Sequence, residues 1–221
     1  MLEARIGQDA PLEGVALDLD DLATPPVPRV RVRFHPAGSE GRAPVEAFLE
    51  DAYLSAFRGV LRRHYPVLVS VETGGGRIEA AAGVRFARDE GLFLEQYLDL
   101  PIEIEAARAL NAPVARDQIA EIGNLASDRP GASLRLFAAI AELLAEEGCA
   151  YAAATATRQL RRKFGRMGFP TTPLAAAQAT RLVADRSDWG HYYAREPEVM
   201  VGAVAPALRL LQAMLDEGAA A

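Results

Sequence analysis

The first clear pattern in the chain is strict alternation. Residues 29–35 read RVRVRFH, so Val30, Val32 and Phe34 face one way and Arg29, Arg31 and Arg33 the other. That predicts a half-buried strand with a solvated arginine face. The period then changes. Pro44 suits a first helical position, and Val45, Phe48, Leu49, Ala52, Tyr53, Ala56, Phe57, Val60 and Leu61 recur at helical spacing. The helix they predict must stop before Pro66. Residues 67–72 and 78–86 read as strands of an antiparallel hairpin joined through Gly74, Gly75 and Gly76. Those glycines lack a following Lys-Ser/Thr and join two strands, so they are not a phosphate loop. The run LFLEQYL (92–98) is broken by Pro101, and IEIEAARAL (102–110) predicts a short helix.

Residues 117–148 form the segment around which the rest is arranged. They read as a strand over 117–125, a turn at Pro130 and Gly131, and a long helix with Leu136, Phe137, Ile140, Leu143 and Leu144 in one stripe, ended by Gly148. Along the strand Ile119, Glu121, Gly123 and Leu125 share a face. Glu121 is therefore either exposed or buried with a task, and Gly123 suggests a bulge or a close approach by another part of the chain. Glu95, inside an apolar run, is either exposed at a strand end or perturbed at a site. A strand feeding a helix N-terminus makes an anion site, because the first amides are unpaired and carry the positive end of the dipole. Residues 149–157, CAYAAATAT, predict a strand of small side chains, which means either tight packing or room for a ligand. A basic helix follows over 158–167, then a small helix near 174–183 and a strand near 199–204. A closing helix over 207–217 suits packing or a dimer contact. Between them Trp189, Tyr192 and Tyr193 wall a pocket or plug the core.

Composition narrows the function classes. The chain has 221 residues, half of them apolar, so a sizeable core is expected. A net charge of −6 argues against general nucleic-acid binding. The single Cys149 cannot form an internal disulfide or a cysteine zinc cluster, and His35, His64 and His191 are scattered, so no metal site is expected. Residues 1–28 are rich in Asp, Pro and small residues and read as a partly disordered extension. No signal-like or spanning segment is expected, which makes a cytoplasmic protein the default. The charge is uneven: residues 149–184 hold six basic side chains and no acid, leaving −12 for the remainder. Such a face is either solvated or a dock for a phosphate or an acidic partner. The second is favoured because a surface without a task usually mixes signs.

Several stretches carry a resemblance. EIGNLAS (121–127), TATRQLRRKFGRMG, WGHYY followed by EPEVMVGAV, and LEQYLD (94–99) occur in the order seen in the thermostable haemolysin family, which the chain resembles over roughly residues 29–204. The resemblance leaves 205–221 as a C-terminal helix and tail. It implies an α/β (α+β) fold like that of GNAT acyltransferases and acyl-homoserine-lactone synthases: a mixed, mostly antiparallel sheet flanked by helices, with the fourth and fifth strands splayed. In that fold a pantetheine arm lies in the wedge. It would run along Asn124, Leu125, Ala126 and Ser127, with its phosphate at Gly131, Ala132, Ser133 and Arg135, and with Thr155, Arg158 and Arg162 on the other side. RPGASLR departs from the usual Q/R-x-x-G-x-G/A loop. That points to one phosphate, as on an acyl-carrier protein docked at helix 158–166, more than to acetyl-CoA. The implied reaction moves an acyl group from a pantetheine thioester (acyl-carrier protein or acyl-CoA) to a small-molecule amine such as an amino acid, with no permanently bound cofactor. Glu121 is the candidate base, with Glu95 second, and Asn124 to Ala126 amides are the oxyanion donors. Tyr97, Tyr192 and Tyr193 are candidates to protonate the thiolate. The rival expectations are a membrane-active cytolysin, suggested by the family's name, and a non-catalytic module of the same fold.

Overall fold

The computed structural model describes residues 30–183 and 186–220; the extension expected over 1–28 lies outside them. The elements run β1 (Arg31–Pro36), α1 (Arg42–Phe57), β2 (Val67–Glu72), β3 (Ile78–Phe86), α2 (Ile102–Leu110), β4 (Ile119–Ser127), α3 (Pro130–Glu146), β5 (Tyr151–Ala156), α4 (Arg158–Met167), β6 (Thr171–Ala176), β7 (Glu198–Ala203) and α5 (Val204–Ala220). The strands form one sheet in the order β1-β2-β3-β4-β5-β7-β6. All neighbours are antiparallel except β4 and β5. This is the GNAT-like mixed sheet that the resemblance implied.

Side-chain alternation assigns the two faces. Val69, Val71, Ala80, Ala82, Val84 and Ala120 pack against Leu136, Ile140 and Leu144 of α3. Leu68, Ala81 and Ala126 point the other way, against Val45 and Leu49 of α1. Helix α5 packs beside α3, and its Leu211 is buried with Phe137 and Phe164.

Three elements differ from the sequence pattern. In β1 the alternation does not mark a buried apolar face: Val32 and Phe34 are 38% and 47% exposed, and His35 is the buried residue, held by Ser70 on the neighbouring strand. Helix α1 ends at Phe57 although apolar residues continue to Leu61. Arg58 takes a left-handed conformation (φ 57°), and the chain beyond it is bound by segment 186–195. The Val60 amide donates to Asp188 O at 2.6 Å, and the His191 amide donates to Phe57 O at 2.7 Å. The small helix expected near 174–183 is instead the edge strand β6 followed by a short 3₁₀ turn at Ala179–Arg181. Pro173 fits there because a β6 residue on the outside of the sheet needs no second ladder partner.

The feature that positions the site is the gap between β4 and β5. They pair over only four steps, from Ile119–Tyr151 to Ile122–Ala154. Beyond this β4 continues along β3, and β5 continues along β7. The divergence coincides with a bulge: Gly83 pairs with Gly123 and Ala81 with Ala126, so β4 carries one extra residue. Asn124 absorbs it with φ +51°. The bulge also reverses the side-chain parity. Leu125 therefore packs on the α3 side, rather than sharing Glu121's face as strict alternation predicts.

Candidate active site

Glu121 sits on β4 two residues before the strands part and is 1% exposed. An isolated carboxylate there would be strongly disfavoured, so its oxygens are held by donors. Oε1 accepts from the Tyr65 hydroxyl (2.9 Å) and the Leu94 amide (3.1 Å), and Oε2 accepts from the Phe93 amide (2.8 Å). Burial dominates nonetheless and pushes its pKa up to about 7; the Tyr65, Phe93 and Leu94 hydrogen bonds and the Arg85 charge pull in the opposite direction. Glu121 is thus poised near neutrality, as a proton-transfer group must be.

Tyr65 is the side chain that sequence reasoning missed. Its ring lies across two strand glycines. A Cβ on Gly83 would fall 2.5 Å from Tyr65 Cβ, and one on Gly123 would fall 2.1 Å from its hydroxyl oxygen. The glycines at these positions therefore leave room for the ring, and the hydroxyl reaches Glu121. The close approach was legible in Gly123, whereas which side chain makes it was not. Arg85 of β3 stacks over the same ring at 5.0 Å, and burial holds the phenol's pKa well above its usual value.

On this face of the sheet, where β4 and β5 part, is a small cavity, partly open to solvent. It is lined by Gly123 and Asn124 of β4, Thr155 of β5, and the rings of Tyr53, Tyr65, Phe93, Tyr97, Trp189 and Tyr192. Trp189 stacks between Phe93 and Tyr192, with ring centres 5.4 Å from each, so it is both core and pocket wall. Two buried polar atoms on residues lining the cavity, the Asn124 side-chain nitrogen and the Thr155 hydroxyl, have no hydrogen-bond partner among the described residues; Asn124 is 7% exposed. Buried donors without partners mark where a bound molecule's oxygens would be satisfied. On the opposite face, bordering the same gap, is a larger and almost wholly apolar cavity, also partly open to solvent. Ile122, Ala152, Ala154, Phe137, Phe164 and Met200 line it, and the small β5 residues leave its space.

Other predicted residues are placed elsewhere. Glu95 does not line either cavity. Its oxygens are taken by Arg116 (2.6 and 2.9 Å) and by the Leu92 and Ile102 amides, and the guanidinium holds its pKa down at about 2. It ties the 93–97 turn to α2 and stays ionised. Tyr97 and Tyr193 share a 2.6 Å hydrogen bond between their hydroxyls, and Tyr192 donates to Thr155 O at 3.1 Å. Burial raises all three pKa values. Helix α3 opens at Pro130, with Gly131 and Arg135 exposed and Ala132 and Ser133 buried. Lys163 of α4, not anticipated, donates to Ser133 Oγ at 2.8 Å and brings a cation to the first turns of α3. Ser127 Oγ donates to Arg129 O. The basic helix is partly compensated in three dimensions: Arg158 pairs with Glu196 and Arg161 with Glu198, while Arg162 is exposed.

A family model described as "Thermostable hemolysin" matches residues 35–208. The chain belongs to that family. Membership brings no spanning segment with it, since among the described residues no helix is long and apolar enough to cross a membrane. No curated protein matches the chain by sequence. Among solved structures it is similar to TofI in an apo form (TM-score 0.58, 15% identity, covering 82% of this chain and 96% of that one). It is also similar to BjaI, a CoA-dependent acyl-homoserine lactone synthase with SAM and isopentyl-CoA (0.56, 16%, 85% and 90%). A third is FeeM, an N-acyl amino acid synthase from uncultured soil microbes (0.52, 14%, 80% and 90%). At these identities the likeness is one of fold.

Proposed function

We propose that the protein is an N-acyltransferase, moving an acyl group from a pantetheine thioester to an amine. The observation that carries this reading is the gap between β4 and β5 beyond Ile122 and Ala154, with a carboxylate poised near neutrality at its closed end. Strand edges freed in the gap can hydrogen-bond the amides of an extended pantetheine arm. Helix α3 then receives the phosphate on its first amides, with Lys163 and Ser133 beside them. The apolar cavity on the α3 face suits the acyl chain, and the aromatic cavity on the α1 face suits the amine. The amine is itself the nucleophile. Holding it against the thioester carbonyl supplies most of what the reaction needs, and no protein nucleophile is required. Glu121 is the final proton acceptor. The Asn124 side-chain nitrogen, the Thr155 hydroxyl and the Asn124 to Ala126 amides are the groups near the developing oxyanion. The fold is shared with proteins named as acyl-homoserine lactone and N-acyl amino acid synthases, which supports the reaction class. The exposed cations of α4 suit an acyl-carrier protein as donor.

The test is thiol release from acyl-CoA and from acyl-carrier protein of several chain lengths, each with a panel of amino acids and simple amines. Acceptor-dependent release with at least one pair is expected. Failure to release thiol with every pair, in protein shown to be folded, would overturn the reading. Liposome leakage without any acyl donor would support the cytolysin instead.

A further inference from the structure

The carboxylate expected to take the amine's proton cannot touch the amine. Glu121 is 1% exposed, both its oxygens are occupied, and it does not border the aromatic cavity, whereas Tyr65 does. The Tyr65 hydroxyl lies over Gly123, a cavity residue, and spends its single proton on Glu121 Oε1. Its lone pairs remain available as acceptors. From the aromatic cavity, the route to Glu121 shown by this geometry runs through that oxygen.

Resting on the acyltransfer reading, we infer that Tyr65 is a catalytic residue that relays the acceptor amine's proton to Glu121. After attack on the thioester carbon the nitrogen is an ammonium. Its N–H bond breaks toward the Tyr65 oxygen while the Tyr65 O–H proton moves to Glu121 Oε1. Tyr65 stays neutral throughout, and one proton rests on Glu121. As the tetrahedral intermediate collapses and the C–S bond breaks, the proton returns along the same pair to the departing thiolate, leaving amide and thiol as products and both residues as they began. A phenol that remains protonated while its carboxylate partner titrates near neutrality suits this exchange. The ionisable groups that bear on the pair are Arg85 on β3, Tyr53 on α1, and Tyr97 and Tyr192 across the cavity. The two glycines under the ring fix the geometry: they leave space for Tyr65 to lie flat on the sheet, with its hydroxyl over the gap.

The decisive variant is Tyr65→Phe, which keeps the ring on Gly83 and Gly123 and removes only the oxygen. The pH profile of kcat is read beside the thermal midpoint, in the full chain with its best donor and acceptor. For wild type, kcat rises with pH through about 7, the value for Glu121. For Tyr65→Phe, kcat falls by about 100-fold or more, KM for the thioester is little changed, and the limb near neutrality disappears. Glu121→Gln loses the same limb, and the double variant is no slower than the slower single one, because the two act in series. A merely structural tyrosine gives a different result: the limb persists, displaced upward because Glu121 has lost a hydrogen bond favouring its ionised form. That displacement, or a kcat within about threefold of wild type, or multiplicative losses in the double variant, would overturn the relay while leaving acyl transfer standing. A wild-type protein that releases no thiol overturns the parent reading instead, and the relay with it.

Discussion

Glu121 makes a stability prediction that needs no substrate. Its folded-state pKa of about 7 lies above the 4.5 of an unperturbed glutamate. Between those values the folded protein keeps the proton and the unfolded chain does not. Stability must therefore fall as pH rises from about 4.5 and level off above about 7. Integrating the two titrations from pH 5 to pH 8 gives a loss of about 2.5 kcal/mol from this residue alone, at 1.36 kcal/mol per unit. Glu121→Gln cannot titrate. Its amide oxygen can still accept from Tyr65 and Leu94, but its NH₂ faces the Phe93 amide, donor to donor. That mismatch costs about 1–3 kcal/mol and does not vary with pH. Urea unfolding of both proteins at pH 5 and pH 8 isolates the effect, since His35, Glu95 and every other titrating group cancel in the comparison. The variant should be the less stable at pH 5, and the gap should shift by about 2.5 kcal/mol in its favour by pH 8. Parallel pH dependences would show that Glu121 ionises as an ordinary surface glutamate, and would remove the basis for its role as a poised base.

Three further outcomes follow from the same geometry. Gly123→Ala places a methyl 2.1 Å from the Tyr65 oxygen and must displace that ring, so urea unfolding should show a loss of about 1–3 kcal/mol, with the Tyr65–Glu121 hydrogen bond broken. Glu95→Gln should cost about 2 kcal/mol at pH 7. Because Glu95's pKa is depressed to about 2, the wild-type advantage is present above 4.5 and shrinks as pH falls toward 2, which denaturant melts at pH 7 and pH 3 can follow. Ala154→Leu fills part of the apolar cavity and should reduce kcat/KM for long-chain thioesters by about 10-fold or more while sparing short ones; equal losses at every chain length would remove that cavity from acyl binding.

Most of the fold was legible wherever local pattern and tertiary structure agreed. The spans Val67–Glu72, Ile78–Phe86, Ile102–Leu110 and Arg158–Met167 follow the pattern closely because each has a hydrophobic face matched to its period and a breaker at its end. The failures are places where distant chain supplies the missing partner. Val60 and Leu61 continue the α1 spacing, but the carbonyl of Asp188 and the amide of His191 bind the backbone around Phe57 and end the helix first. Residues 171–176, which include Pro173, do not read as a strand from local pattern, because the edge they join, β7, lies more than twenty residues further along the chain.

The site was legible on one strand and hidden on the others, for a physical reason. Glu121 and Gly123 announce themselves because each breaks a local rule, a carboxylate in an apolar strand and a glycine where a side chain should pack; Asn124 was implied only by the family resemblance, and its φ of +51° shows only in the structure. Tyr65 breaks none, since a tyrosine ahead of a strand is ordinary. Its importance comes only from lying across Gly83 and Gly123, which stand 18 and 58 residues further along the chain. The same holds for the charge pattern of residues 149–184, which looks unopposed until Glu196 and Glu198 arrive from the other end of the hairpin formed with β7. Glu95 is the converse case. As a carboxylate embedded among apolar residues it breaks the same rule as Glu121, yet Arg116 turns it into a clamp that stays ionised down to low pH. Two things separate them, burial first and the nearest cation second: Glu121 is almost wholly buried, and Arg85 is set over the Tyr65 ring without a direct ion pair to it, whereas Glu95 is more exposed and Arg116 reaches it directly. Burial without a contacting cation lifts a carboxylate toward neutrality against the pull of its hydrogen bonds, and that balance is what the proposed proton exchange at Glu121 draws on.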